Sequence, residues 1–201
     1  MLSQAQRDAG AYALGMYGYS DTTGLLTTIA AGTATAGHIW SCRWGDATKI
    51  ALVTHLSATW QNVVGFTAAQ ELGLSFLKMS GYTASHTGGT VFTPTGNNLK
   101  VAAAFPDSVM TDMRIATTVE LTAGTHTIDT HPIANAVYSE LSAVATVIKS
   151  PWRIEVSPEA LAMHPIFLTQ DTGLLLRNRV LMGAAGTARV VVTIHWIEKA
   201  L

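Results

Sequence analysis

GLLLRNRVLMGAAGTARVVVTIHWIE, residues 173–198, decides how this chain is read. Two dense apolar runs flank a glycine-rich turn, and arginines stand inside both. In VVVTIHW, Val190, Val192, Ile194 and Trp196 alternate with Val191, Thr193 and His195, the period-2 pattern of a strand with one buried face. In LLLRNRVLM, Arg177 and Arg179 share a parity with Leu175 and Leu181, so both arginines emerge on one face. GAAGT therefore joins two strands. A phosphate loop needs a strand running into a helix whose N-terminus meets the anion. The lysine and hydroxyl of a Walker loop are missing, as is the third glycine of a dinucleotide fingerprint. GAAGT reads as a hairpin or bulge turn, exposed around Gly183–Gly186, not as a nucleotide site.

The same period recurs outward from it. In KIALVTHLSATW, Ile50, Leu52, Leu56, Ala58 and Trp60 share one parity, interrupted at Thr54. ELGLSFLKM places Leu72, Leu74 and Phe76 on one face. MRIATTVELT places Met113, Ile115, Thr117, Val119 and Leu121 opposite Arg114 and Glu120. Turn clusters (SHTGGT, TPTGNN, FPDS, TAGTHT, QDTG) punctuate these runs at the ~8–12-residue spacing of sandwiches and barrels. Helix is scarce. FTAAQEL offers one turn with Thr67 as N-cap. Residues 133–148 have Ile133, Val137, Leu141 and Val144 at helical spacing, although the β-branched content there pulls toward strand. The expected fold is a mainly β, jelly-roll-like antiparallel sandwich over 38–201, with at most one or two short helices.

Composition narrows the function. Only 12% of the 201 residues are charged, against roughly 25% in ordinary globular proteins. Threonine supplies much of the polar surface, which suits strands and surfaces covered by neighbouring subunits. A net charge of −1 argues against a nucleic-acid binder, which gains affinity from clustered Lys and Arg. One cysteine, Cys42, forbids an intramolecular disulfide; set between Trp40 and Trp44 it reads as a buried thiol. The beginning, MLSQAQRDAGAYALG, has no basic region followed by an apolar one, so no signal peptide is expected. No apolar run approaches the ~18–20 residues of a membrane span, and a soluble protein made in a cytoplasm is expected.

Residues 1–37 show no sustained period. They carry Leu14, Met16, Leu25, Leu26 and the tyrosines Tyr12, Tyr17 and Tyr19. Such a segment buries too little alone to offset its ordering entropy, so it reads as an arm ordered against another subunit. The candidate interface residues are Tyr12, Tyr17, Tyr19, Leu25, Leu26, Arg177 and Arg179. Catalytic groups are not expected: G-x-S-x-G and H-E-x-x-H are absent, and the carboxylates are few and dispersed. HTIDTHP comes nearest to a metal motif, but on a strand Asp129 and His131 share a face while His126 points away. No metal and no cofactor are expected. The tryptophans read as core.

FTAAQELGLSFLKMSGYTASHTGGT, TGNNLKV, RIATTVELTAGTHTIDTHPIA and the closing GLLLRNRVLMGAAGTARVVVTIHWIE together, in that order over residues 38–198, resemble virion structural proteins of tailed bacteriophages. The resemblance implies a β-rich, non-enzymatic module with no catalytic residues to carry over. The expected role is capsid decoration or cement. Its partners would be copies of itself, as a dimer or trimer, and the major capsid protein or another virion protein. Neither nucleic acid nor membrane is an expected partner. The location implied is the virion, assembled in the host bacterial cytoplasm. The competing expectation is a tail- or head-fibre-associated module that recognises a host-surface glycan through loops.

Overall fold

The computed structural model describes residues 14–92, 94, 99–140, 151–156, 158–183 and 186–201. Two antiparallel sheets pack face to face. β1 (Gly15–Thr22), β3 (Lys49–Val64), β9 (Trp152–Val156), β10 (Ile166–Leu168) and β12 (Thr187–Ala200) form a five-stranded sheet. β2 (His38–Trp44), β4 (Gln70–Ala84), β5 (Thr90–Phe92), β6 (Asp112–Ile115), β7 (Thr125–Ile128), β8 (Ala134–Glu140) and β11 (Thr172–Asn178) form a seven-stranded one. One helix, α1 (Pro158–Met163), was not foreseen. The β-sandwich is thus as expected.

Two long strands organise the sheets. β3 runs 16 residues, and one edge takes β10 along Ala51–Val53 and then β9 along Leu56–Trp60. β4 runs 15 residues and takes β8 along Gln70–Phe76 and then β7 from Met79. Along its other edge β3 pairs β12 from Lys49↔Ala200 to Val64↔Thr187. The register shifts at His195/Trp196, where Val53 pairs Trp196 and His55 pairs His195. Thr54 is the extra residue, a bulge. It moves the core-facing parity from Ala51 and Val53 before it to Leu56, Ala58 and Trp60 after it. Ile50 and Leu52, expected on the Leu56 face, are therefore excluded from the central core.

That core lies between the sheets. Trp40, Cys42 and Trp44 of β2, Leu72, Leu74 and Phe76 of β4, and Leu174 and Leu176 of β11 meet Trp60 of β3 and Val190, Val192, Ile194 and Trp196 of β12. Burial pushes the Cys42 thiol up to about 12, consistent with an inert packed sulfur.

Several expectations need correction. β11 and β12 lie in different sheets, so GAAGT is a crossing between layers and not a hairpin turn. Its two glycines are not exposed: Gly183 is half-buried and Gly186 buried, and a Cβ at Gly186 would collide with the Phe66 ring. Ala184 and Ala185 lie outside the described residues. FTAAQEL contains no helix: 66–69 belong to the five-residue connection in which the chain changes sheets, and Gln70–Leu72 already begin β4. Over 133–148 the strand tendency wins: 134–140 is β8, and the rest lies outside the described residues. The MRIATTVELT strand ends at Ile115, leaving Val119 exposed while Leu121 is buried.

The largest difference concerns the arm. Residues 15–22 are β1, paired with β12 from Gly15↔Glu198 to Thr22↔Val191. Leu26 exchanges two backbone hydrogen bonds with Ala188, and Ile29 is fully buried. Glu120 accepts the amides of Ala30 and Gly37, at 2.8 and 3.1 Å. The missing period is explained by how the segment is used: one strand, then an irregular strap that crosses to the other sheet. Residues 1–13 lie outside the described residues.

Candidate functional site

The seven-stranded sheet has a second side, and its chemistry differs from the core. On β11, Leu174 and Leu176 face inward while Leu175 faces out, where it joins Met79 and Tyr82 in a small separate cluster with Ile128 of β7. Ser41 lies beneath the Tyr82 hydroxyl at 3.4 Å. The pairing of β2 with β11 skips Ile39, Leu176 facing Trp40 and Arg177 facing His38. The skipped residue brings His38 to the same outer side as Ser41.

Three imidazoles meet there. His38 comes from β2, His86 from the loop after β4, and His126 from β7; one nitrogen of each lies within 4.8 Å of the others. Nδ1 of His38 and Nε2 of His86 are 2.8 Å apart. The rings of His86 and His126 are 4.8 Å apart between centroids, and the Tyr82 ring packs edge-on against both. The segment after β6 holds the three together. Leu121 donates its amide to the His38 carbonyl, Thr122 and Thr87 exchange amide bonds at 3.1 Å, and four residues later the chain supplies His126. Gly88 and Gly89, just past His86, have positive φ of 75° and 61°, which other residues rarely adopt. The turn signal SHTGGT is thus the device that delivers His86.

The electrostatics favour neutral rings. Burial, with His126 and Arg177 nearby, lowers His38 to about 4 against the pull of the Thr33 carbonyl. Burial, His38, His126 and Arg114 lower His86 to about 3. Burial also lowers His126. His38 and His86 have hydrogen bonds: Nε2 of His38 to the Thr33 carbonyl at 3.3 Å, and Nδ1 of His86 to the Tyr82 hydroxyl at 2.5 Å. His126 differs. Both its nitrogens are buried without a hydrogen-bonding partner among the described residues.

The sequence placed no potential ligand on the face of His126, whereas the structure brings two imidazoles to it. Asp129 and His131 lie past the end of β7, are exposed and do not join it. Its companions lie 40 and 88 residues earlier in the chain, and no local spacing announces them.

The candidate interface residues are placed elsewhere. Tyr17 is buried, stacked on Trp196 at 5.4 Å, and donates to the Pro106 carbonyl. Tyr19 is buried against Phe92 and donates to Asp21. Leu26 is buried, Leu25 is half-buried and Tyr12 lies outside the described residues. Tyr17, Tyr19 and Leu26 therefore serve this chain's own core and offer no surface to a partner. Arg177 is half-buried and donates to the Thr33 carbonyl, while exposed Arg179 donates to Asn135 of β8. Between them Asn178, fully buried, donates to the Ala30 carbonyl at 3.2 Å, so the RNR motif anchors the 29–33 strap.

In comparisons with known proteins the chain matches no family model, no curated protein and no solved structure. Among the described residues no helix is long and apolar enough to cross a membrane.

Proposed function

We propose that this chain is a non-enzymatic structural protein of a tailed-bacteriophage virion, a decoration or cement protein of the capsid. It acts by burying neutral surface against copies of itself and against the major capsid protein. The observation that carries this reading is the state of the sheet edges. β5 and β10, three residues each, end their sheets, and β8 flanks β4 as a side strand. Each exposes a large apolar side chain: Val91, Phe167 and Val137. An edge strand with an exposed apolar side chain and few charges can pair with another chain; native proteins guard such edges with lysine, proline or short length, and β8, at seven residues, lacks the last of these. With charged residues at 12%, that guard is thin. The ordered set of phage-like motifs in the sequence supports the same reading.

Light scattering on the purified chain and immunogold microscopy of phage particles test it. A dimer or trimer, with label spread over the head, is expected. Label confined to the tail or a vertex would replace capsid cement by the glycan-recognising module. A monomer absent from purified particles would overturn both.

A further inference from the structure

We propose that His38, His86 and His126 form a binding site for a divalent transition-metal ion of the zinc type, tying β2, the 85–89 loop and β7 together on the outer side of the seven-stranded sheet. The inference does not depend on the virion reading. Three imidazole nitrogens within 4.8 Å of one another are close to the ligand spacing of such an ion. Zn–N bonds of about 2.0–2.1 Å in tetrahedral array put nitrogens roughly 3.3–3.5 Å apart. Small side-chain rotations close the difference, and half-buried His126 on edge strand β7 is the ring freest to make them.

The hydrogen bonds around the rings distinguish this site from a plain buried histidine pair. A carbonyl only accepts, so the bond to Thr33 puts the His38 proton on Nε2 and leaves Nδ1 as a lone pair. That lone pair faces Nε2 of His86 at 2.8 Å. Neutral His86 has one proton to place. On Nε2 it bonds His38 directly; the pair is satisfied and His126 remains buried with nothing to bond. On Nδ1 it is donated to the Tyr82 oxygen, and Tyr82 donates onward to Ser41. Two lone pairs then face each other, and a cation is what relieves them. The second arrangement with an ion satisfies His38 and His86 and gives a partner to one of the two bare nitrogens of His126. Leaving a buried polar group unpaired costs about 1–3 kcal/mol, so His126 is the residue that tips the choice.

The remaining surroundings fit imidazole-only ligation. Neutral histidine is the metal-binding form, and borderline ions such as Zn2+ suit nitrogen donors where Mg2+ and Ca2+ require oxygens. Thr33 and Tyr82 take the place of the outer partners that fix ring orientation in metal sites. Arg114 is the cation facing His86, and Asp112 neutralises it at 2.8 Å. Arg177, facing His38, is turned onto the Thr33 carbonyl.

The test is titration of the EDTA-stripped full chain with Co2+ and with Zn2+. One Co2+ per chain is expected, with visible absorption of a low-coordinate nitrogen site, displaced by Zn2+. At a hundredfold excess of Zn2+ over Kd the melting temperature should rise by roughly 5–10 °C. His126→Ala should weaken Co2+ binding on the order of a hundredfold, and Tyr82→Phe about 10–100-fold with the same spectrum. His131→Ala and His164→Ala, at exposed rings, should bind as the parent does. Failure of the unaltered chain to bind either ion would overturn the proposal without any variant having to fold. So would His126→Ala binding as tightly as the parent.

Discussion

The two sides of the seven-stranded sheet are made from the same strands by opposite means. Inward, Trp40, Cys42 and Trp44 alternate along β2 and meet apolar side chains from the other sheet. Any one of these contacts is replaceable by a neighbour of similar volume, so the face is robust and its pattern repetitive. Outward, Ser41 and His38 meet Tyr82, His86 and His126, where each polar atom needs one particular partner. Packing tolerates approximation and hydrogen-bond satisfaction does not. The inner side therefore holds the stability of the fold, and the outer side is where a specific ligand can be selected.

If the inner side dominates stability, losing the strand that covers its edge should have the largest effect. Deleting residues 2–30 removes β1 together with Tyr17, Tyr19, Leu26 and Ile29, all buried. At ~1.5–3 kcal/mol per buried side chain this loss rivals the whole ~5–15 kcal/mol of a typical domain. The truncated chain should be insoluble or lack a cooperative melt by circular dichroism. A cooperative melt near that of the parent would show that the N-terminal segment is dispensable after all. Trp196→Ala comes next. The ring is 1% exposed, stacked on Tyr17, and its loss should cost about 3–5 kcal/mol in urea unfolding. A loss below ~1 kcal/mol would mean that β12 faces the other way.

The contrast also explains what the sequence could reveal. Alternation in 190–196 and 72–76 named the core face directly, because every second residue there meets the other sheet. It failed across Thr54, where one extra residue reverses the parity of β3; the polar interruption there was visible, but not the change of face it brings. It failed again for β1, whose inward residues are tyrosines and glycine rather than aliphatics. The pairing of β11 and β12 with different sheets is a property of the whole chain: GAAGT suits a hairpin and a crossing equally. The histidine site is the extreme case, since its members are joined only by tertiary pairing.

Gly173 lies between the two sides and tests how far they are coupled. It sits on central strand β11, and a Cβ there would strike the Cys42 carbonyl and the Tyr82 ring. Gly173→Ala should cost about 1–3 kcal/mol as an overpacked site. Because Tyr82 orients His86, the same change should weaken Co2+ binding. An unchanged Co2+ affinity alongside lowered stability would show that the strand yields and Tyr82 does not.

The smallest effect is expected where the inner face itself admits a polar group. Glu198 continues the inward parity of β12 past Trp196 and is fully buried. Its Oε1 accepts from Ser108 and from the Val109 amide, at 2.5 and 3.0 Å, while Oε2 lies 3.8 Å from Lys49. Burial raises its pKa, outweighing the lowering by Ser108, Trp196, Val109 and Lys49. Below the ordinary value of 4.5 the group is protonated folded and unfolded alike. Above that, the unfolded chain ionises first, so the contribution of Glu198 to stability falls until the folded pKa is passed. Glu198→Gln keeps an acceptor at the Oε1 position and cannot ionise. It should change stability at pH 4 by less than ~1 kcal/mol, the scale of a conserved hydrogen bond. Relative to the parent it should gain as the pH rises to 7.5. Urea unfolding of both proteins at the two pH values checks this. A variant that loses ground on going to pH 7.5 would mean that the Lys49 pairing outweighs burial and that Glu198 is held as a carboxylate.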